Sequence, residues 1–183
     1  MKILAFTDFH GDEKIISKIL KKIKKEDPDI LVCPGDFTVF GKNLNSIMSK
    51  FLVGKPFVFI PGNHEDGEKS VYLFAKKPGA LLVHQTGIVV RGILFVGSGG
   101  GIYGRNEPTL DISKRLLSQK IKNFKKNDSK GKVVFITHRP AYGTNCDFMS
   151  DIKEYVGAMN IRKFIEKNPI DLHICGHIHE CFN

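Results

Sequence analysis

The side chains that could do chemistry in this chain stand at the ends of apolar runs. Aspartate, histidine and asparagine follow five such runs: Asp8 with His10, Asp36, Asn63 with His64 and Glu65, His138, and His177 with His179. In open sheets flanked by helices, the ligand site lies outside the carboxyl ends of the strands, so these groups would converge on one crevice. A set of carboxylate, imidazole and amide donors without thiolate favours binding of first-row transition-metal ions over binding of calcium.

The spacing within these groups also fits metal binding. Residues i and i+2 of an extended segment lie on the same side, so Asp8 and His10 could hold one ion together. His177 and His179 could do the same, or could be divided between two ions. Each pair alone indicates little, and Asn63 alone is typical of a turn. The combination, in this order and after strands, predicts a metal site.

The elements that must position these groups alternate along the chain. The hydrophobic pattern predicts strands at 1–8, 30–33, 57–60, 132–137 and 170–175, and helices at 11–25, 44–53, 69–77, 109–127 and 160–167. Three short β-rich runs at 80–83, 87–91 and 93–97 are separated by two turns, which suggests antiparallel hairpins. This order indicates an α/β domain with parallel strands.

The composition is typical of one globular domain. The chain has 183 residues, of which 42% are hydrophobic and 26% are charged, so we expect a single domain over residues 1–183. The apolar segment at 3–6 is too short for a signal peptide or a membrane span, so we expect a cytoplasmic protein with no membrane partner. The cysteines at 33, 146, 175 and 181 form no Cys-x-x-Cys pair, which favours reduced thiols.

The net charge of +9 raises the question of a nucleic-acid partner. Many of the lysines lie opposite the apolar stripes of the predicted helices at 11–25 and 109–127. The basic residues do not interleave with aromatic residues, as they do in many nucleic-acid grooves. Solvated helix faces therefore explain most of the charge, and nucleic acid is an open but not a favoured partner.

The glycine-rich loop at 97–104 contains Gly-x-Gly-x-x-Gly directly after a predicted strand. That pattern also occurs in dinucleotide-binding folds. The context differs, because the motif is in the middle of the chain and Glu107-Pro108 delays the next helix. We therefore do not expect a dinucleotide site, and we treat the loop as part of a cleft wall.

Taken together, the blocks Asp-x-His, Gly-Asp, Gly-Asn-His-Glu, His and Gly-His-x-His resemble the signature of the calcineurin-like metallophosphoesterase superfamily. The resemblance extends from Asp8 to His179. It implies a β-sandwich of two mixed sheets flanked by α-helices, in which the hairpins of residues 80–97 build the second sheet. It also implies two divalent metal ions, with manganese expected and iron, zinc, nickel or cobalt as alternatives. By this resemblance one ion would be held by Asp8, His10, Asp36 and His179, and the other by Asp36, Asn63, His138 and His177.

The resemblance also implies a catalytic role for His64. It would act as the general acid that protonates the departing oxygen, while the ion pair bridged by Asp36 promotes in-line attack by water. Glu65 either orients His64 or a metal-bound histidine, or is a surface carboxylate.

Four further residues have less specific interpretations. Arg139 could bind a substrate phosphate through its planar guanidinium, or could pair with a surface acid. Tyr142 is expected in a cleft wall. His173 is expected to be a hydrogen-bonded core histidine, and His84 is expected at a strand end outside the site.

The function implied by the resemblance is a metal-dependent phosphoesterase, most similar to the small prokaryotic phosphodiesterase-type members. Its substrate would be a small phosphate ester. Two alternatives stay open: a nuclease acting on DNA or RNA ends, prompted by the charge, and a non-catalytic scaffold on the same fold. Members of the superfamily normally continue beyond Gly-His-x-His into one or two more strands, whereas four residues follow His179 here. Without those strands a sheet edge would be exposed, so we expect a monomer or an edge-paired homodimer.

Overall fold

Strands and helices alternate along the computed structural model, which describes residues 1–101 and 106–181. The strands are β1 (Ile3–Ala5), β2 (Ile30–Cys33), β3 (Phe57–Phe59), β4 (Ala80–Leu82), β5 (Thr86–Val90), β6 (Ile93–Ser98), β7 (Lys132–Thr137), β8 (Phe148–Met149), β9 (Glu154–Tyr155) and β10 (Leu172–Ile174). The α-helices are α1 (Glu13–Glu26), α2 (Leu44–Ser49), α3 (Lys69–Phe74), α4 (Pro108–Asn127) and α5 (Met159–Lys167). A 3₁₀ turn, His179–Cys181, follows β10.

The strands form two four-stranded sheets and a small hairpin. The first sheet has the order β1-β2-β3-β4, and its strands pair in parallel. The second has the order β10-β7-β6-β5, in which β5 is antiparallel to β6 and the other pairs are parallel. The hairpin consists of β8 and β9. The predicted α/β fold, with sheets flanked by helices, is confirmed.

The strand residues alternate between two apolar clusters, which explains the layering. In β2, Leu31 and Cys33 pack on the side of α1, α2 and α3. Ile30 and Val32 point the opposite way and meet Phe95 and other residues of the second sheet. A third cluster joins the outer face of β6 and β7 to α4 and α5. Because successive strand residues face opposite sides, β2 can be apolar throughout and still be buried on both faces.

One part of the strand prediction is wrong. The turn between β4 and β5 does not make a hairpin, because β4 continues the first sheet in parallel with β3. The chain then crosses between the sheets at residues 83–85, where His84 bridges to Gly97. The second predicted hairpin, β5 with β6, is present. A short turn between two apolar runs is typical of a hairpin, but here the side chain of Val83 is buried between the sheets and the two strands belong to different layers.

The cysteines agree with the prediction from the sequence, whereas the β8–β9 hairpin was not predicted. All four cysteines are free thiols, as predicted. Within the described residues, no helix is both long enough and apolar enough to cross a membrane. The β8–β9 hairpin is not predicted by the sequence, because strands of two residues show no alternation. Residues 102–104 of the predicted glycine-rich loop lie outside the described residues.

Candidate metal centre

The parallel strands deliver the predicted ligands to one place. The loops after β1, β2 and β3, which pair side by side, carry Asp8, Asp36 and Asn63. In the second sheet, β7 and β10 also pair in parallel and are followed by His138 and His177. The ends of the two sheets are joined directly, since the His177 backbone N–H donates to the Asp8 carboxylate, at 3.2 and 3.1 Å from its two oxygens. The carboxyl edges of both sheets therefore form one site.

One half of the site contains three polar side chains in mutual contact. His138 Nε2 lies 2.9 Å from Asn63 Oδ1 and 3.2 Å from His177 Nδ1. The Asn63 oxygen also lies 3.0 Å from His177 Nδ1. Asp36 Oδ2 is 3.4 Å from His138 Nε2. The Nε2 atom of His138 therefore has three other predicted ligand atoms within 3.4 Å.

The other half contains the remaining predicted ligands. His179 Nε2 lies 3.5 Å from Asp8 Oδ1, and His10 Nε2 lies 3.9 Å from Asp36 Oδ2. The donor atoms of Asp8, His10 and His179 all lie within 4.8 Å of one another, as do those of Asp8, Asp36 and His138. Asp36 therefore has neighbours in both halves. All seven predicted metal ligands come together, and their role in binding metal stays a prediction.

The hydrogen bonds behind the imidazole rings show that this donor set fits cations. His138 Nδ1 is 2.9 Å from the Pro34 carbonyl oxygen, and His10 Nδ1 is 3.3 Å from that of Thr38. A carbonyl oxygen only accepts, so in each ring the Nδ1–H donates and the Nε2 of the neutral ring carries a lone pair. These lone pairs face carboxylate and amide oxygens, which are also electron-rich. Either a proton on Nε2 or a bound metal cation removes this repulsion, and backbone carbonyls behind histidine ligands are typical of metal sites.

The electrostatic environment agrees with that interpretation. Burial lowers the pKa of His177 to about 4, with a further contribution from His138, so His177 is neutral near pH 7. Burial opposes the charge on His138, but the Asp36 carboxylate outweighs it and raises the pKa of His138. Burial likewise opposes ionisation of Asp36, yet hydrogen bonding and charge from His138 lower its pKa overall. Asp36 is thus ionised and His177 is an uncharged lone-pair donor, as metal ligands must be.

Several of these residues have a strained backbone conformation. Four predicted ligands have positive φ angles, namely Asp8 (54°), His10 (44°), Asp36 (49°) and His177 (76°). Side-chain-bearing residues in such conformations cost on the order of 1–3 kcal/mol each and cluster at functional sites. Close approach adds a further constraint, because a Cβ on Gly62 would overlap the Asp36 side chain.

The interpretation of Glu65 from sequence is wrong in both of its forms. Its side chain is 1% exposed and contacts neither His64 nor a metal-site histidine through any hydrogen bond that the structure describes. One oxygen accepts from the Asp36 and Gly62 backbone N–H groups at 2.9 and 3.1 Å. The other accepts from the Thr38 N–H and hydroxyl at 2.8 and 2.6 Å. Glu65 therefore ties the loop after β2 to the loop after β3.

His64 is placed at the edge of the site. Its Nε2 lies 4.0 Å from Asp36 Oδ2, and its backbone N–H donates to Asp36 Oδ1 at 3.0 Å. Among the described residues, its buried Nδ1 has no hydrogen-bond partner. The ring of Phe40, which is 67% exposed, stacks on His64 with centroids 4.5 Å apart and planes at 22°. The sequence reasoning missed Phe40, because a single aromatic residue in a loop gives no pattern.

The two predicted substrate-binding residues lie beside the site. Arg139 and Tyr142 line a cleft of about 890 Å³ that also contacts Asn63 and His177. The Arg139 guanidinium donates to the carbonyls of Asn106 at 3.1 Å and Val156 at 3.4 Å. Its contact with substrate phosphate stays a prediction, and a phosphate would share the guanidinium with these carbonyls.

The two histidines that the sequence placed outside the site do lie outside it. His173 Nε2 is 2.7 Å from the Thr137 hydroxyl, and burial lowers the pKa of His173 to about 4. His84 Nδ1 accepts from the Gly99 N–H at 3.0 Å. Neither belongs to a group of potential metal ligands in the described residues.

With this geometry in place, the chain can be compared with known proteins. A family model described as "Calcineurin-like phosphoesterase" matches residues 1–181. The chain belongs to the calcineurin-like phosphoesterase family. This membership agrees with the resemblance found in the sequence and with the groups of potential metal ligands. A phosphoesterase function that depends on divalent metal is therefore supported in general terms.

Relatives of this phosphoesterase extend over most of its length. The "Uncharacterized protein MJ1162" of Methanocaldococcus jannaschii is 31% identical over 191 residues, which cover 98% of this chain and 81% of that protein. The crystal structure of TT1561 of Thermus thermophilus matches with a TM-score of 0.66 and 17% identity, covering 94% of this chain and 80% of that one. A second solved structure matches with a TM-score of 0.74 and 18% identity, covering 96% and 83%. At these identities the solved structures establish the fold alone.

Proposed function

We propose that this phosphoesterase is a two-metal phosphodiesterase that acts on a small phosphate ester. The observation that carries the proposal is the position of Asp36. Its Oδ2 lies 3.4 Å from His138 Nε2 and 3.9 Å from His10 Nε2, so one carboxylate oxygen faces the donor atoms of both halves of the site. A carboxylate in that position would help to hold two divalent ions, one in each half of the site.

The residues divide into two ligand sets that share Asp36. The first set is Asp8, His10, Asp36 and His179, and the second is Asp36, Asn63, His138 and His177. When bound, two divalent ions neutralise charge on the phosphate oxygens and activate the attacking water. Manganese is the proposed ion, because the donors are oxygen and imidazole, with iron, zinc, nickel or cobalt as alternatives.

The protein's own residues supply orientation and a proton. Asn63 offers an oxygen without adding negative charge beside an anionic substrate. The attacking water loses a proton to solvent as its oxygen bonds to phosphorus, and the P–O bond to the leaving group breaks. We assign His64 Nε2 as the donor of the proton that the leaving oxygen takes, and solvent returns a proton to His64 after the step. Phe40 stacks on His64 and fixes the plane of its ring, while Asp36 Oδ2 lies 4.0 Å from His64 Nε2.

The proposed function is tested by hydrolysis after removal and return of metal. Chelated protein is assayed with bis(p-nitrophenyl) phosphate and p-nitrophenyl phosphate before and after manganese is added. We expect turnover only with metal, and faster turnover of the diester. No turnover of either ester with manganese bound contradicts the proposal and favours a non-catalytic role on this fold. Cleavage of DNA or RNA ends in preference to small esters favours the nuclease alternative instead.

Two variants test whether His64 acts as the general acid rather than as a metal ligand. His64→Asn is expected to lower kcat by about 10²–10⁴ while the protein still binds manganese. His84→Asn is the matched control, since His84 is a partly buried histidine outside the site. Equal loss of activity in both variants contradicts the assignment of His64.

A further inference from the structure

The cleft beside the metal centre is lined by both polar and apolar residues. Asn63, His177 and Arg139 line it, together with the charged residues Lys153 and Glu154. Its larger apolar and aromatic side chains are Tyr142, Met149, Tyr155, Val156, Met159 and Ile178. The cleft volume of about 890 Å³ lies within the range of about 300–1,000 Å³ that is usual for small-molecule sites. A small organic group attached to a phosphate at the metal centre would therefore have aromatic and apolar side chains to contact in this cleft.

Two exposed tyrosines of this wall, Tyr142 and Tyr155, form an aromatic cluster with the neighbouring Phe148, which does not itself line the cleft. Tyr155 lies on β9 and makes an edge contact with Tyr142, with ring centroids 6.0 Å apart at 62°. It also contacts Phe148 on β8, at 5.1 Å. These three rings are between 39% and 47% exposed. A cluster of exposed aromatic rings beside a polar site is characteristic of ligand binding, because each ring offers a flat apolar face.

A buried carboxylate holds this wall in place. Asp147 is fully buried and accepts from the Gly143 and Thr144 N–H groups at 2.9 and 2.6 Å on one side of the hairpin. On the other side it accepts from the Gly157 N–H at 3.0 Å. Its backbone carbonyl accepts from the Val156 N–H at 2.9 Å. The loop before β8 and the chain after β9 are thus joined, so the aromatic wall is formed before any ligand arrives.

The position of His64 decides which part of a substrate enters the cleft. His64 and Phe40 do not line the cleft, whereas Asn63 and His177 do. The leaving group departs beside the residue that protonates it, so it lies on the His64 side. The ester group that remains on phosphorus is then directed towards Tyr142 and Tyr155.

We propose that the cleft binds the retained ester group of a phosphodiester, and that this group is a planar aromatic ring system such as an aryl group or a nucleobase. The proposal rests on the proposed function, because it assigns the substrate class of the same site. Stacking of a ring on an aromatic side chain typically contributes about 1–3 kcal/mol. Loss of one such contact corresponds to about a 5- to 150-fold change in kcat/KM.

The test uses three diesters that share one leaving group. They are the p-nitrophenyl esters of methyl phosphate, phenyl phosphate and thymidine monophosphate, so the chemistry at the leaving oxygen is equal and only the retained group differs. Wild-type protein with manganese is compared with Tyr155→Ala, and with Tyr72→Ala as the control. Tyr72 is 53% exposed and does not line the cleft. Because both tyrosines are exposed, neither change is expected to unfold the protein.

We expect wild type to prefer the phenyl or the thymidine ester to the methyl ester by about 10-fold or more in kcat/KM. Tyr155→Ala should remove most of that preference by lowering kcat/KM for the phenyl and thymidine esters more than for the methyl ester, while Tyr72→Ala should change none of the three. A phenyl preference identifies an aryl group, and a thymidine preference identifies a nucleoside. Equal kcat/KM for all three esters in wild type, or equal losses for all three in Tyr155→Ala, overturns the proposal.

Calorimetry keeps this test separate from the test of hydrolysis. Methyl phosphate, phenyl phosphate and thymidine monophosphate are titrated into manganese-loaded wild type and Tyr155→Ala. Tighter binding of an aromatic phosphate that depends on Tyr155 supports the cleft proposal even if no ester is cleaved, in which case only the proposed hydrolysis fails. Equal affinity for the three ligands overturns the cleft proposal even if all three esters are cleaved.

Discussion

Replacing Glu65 by glutamine tests whether this buried carboxylate joins the two loops that carry the predicted ligands Asp36 and Asn63. In the structure one Glu65 oxygen accepts from the Asp36 and Gly62 N–H groups, and the other accepts from Thr38. Glutamine has one oxygen, which can still accept from Thr38. Its NH₂ group then faces the two backbone N–H groups, which lose their acceptor.

The size of the effect follows from these contacts. Hydrogen bonds to a charged acceptor contribute about 1.5–3 kcal/mol each, so the loss of two gives about 3–6 kcal/mol. Burial raises the pKa of Glu65, which means that the folded protein disfavours its charge. A neutral glutamine avoids that penalty, and the net loss of unfolding free energy is expected to be about 2–4 kcal/mol.

The assay is urea unfolding of metal-free Glu65→Gln, with Glu166→Gln as the control. Glu166 is exposed and pairs with Arg162 at 2.6 Å within α5, so its loss is expected to be only about 0.3–0.5 kcal/mol. Manganese affinity, measured by calorimetry, should fall about 10- to 100-fold in Glu65→Gln, because Asp36 loses its backbone support. If both variants unfold at the same urea concentration, the account of Glu65 is refuted.

Three further predictions concern close packing and titration. Gly62→Ala should lower manganese affinity at least about 10-fold by calorimetry, because its Cβ would overlap the Asp36 side chain; unchanged affinity would show that the loops can separate. The pKa of His173 is lowered by burial from 6.5 to about 4, so the unfolded chain binds more protons between these values and stability falls as pH drops through that range. Urea unfolding of wild type should therefore lose about 2 kcal/mol more than His173→Asn between pH 7 and 5, and parallel losses would contradict this. Asp171 accepts from Lys132, the Val133 N–H and Lys125, which lower its pKa from 3.8 to about 2. After allowance for solvent screening, Asp171→Asn should cost about 1 kcal/mol at pH 7, and the difference from wild type should shrink as pH falls from 4 towards 2.

The convergence of the candidate ligands could be predicted because two kinds of information in the sequence agree. Residues such as Asp8 and His138 are of metal-binding types, and each follows an apolar run that can only be a buried strand. Parallel pairing then brings the strand ends together without any need to know the side-chain contacts. The same reasoning recognised His173 as a core histidine, because it lies within a strand rather than after one.

The remaining features depend on contacts that have no sequence pattern. Nothing in Gly-Asn-His-Glu indicates that Glu65 turns inward to bind the loop after β2, 29 residues away from Asp36 in sequence. Strand β4 could have belonged to either sheet. The three-residue turn that follows it does not show in the sequence that β4 pairs with β3. Tyr155 and Phe40 are single aromatic residues in short or irregular segments, so only their neighbours in space show what they could do.

The central claim, that two ions share Asp36 and drive hydrolysis, is tested most directly by one titration. Manganese is added stepwise to metal-free protein while bound ions and turnover of bis(p-nitrophenyl) phosphate are measured in the same samples. The account predicts two bound ions per chain, turnover that rises with the second ion, and loss of both effects in Asp36→Asn. A single bound ion at full turnover, or full turnover in Asp36→Asn, would contradict it.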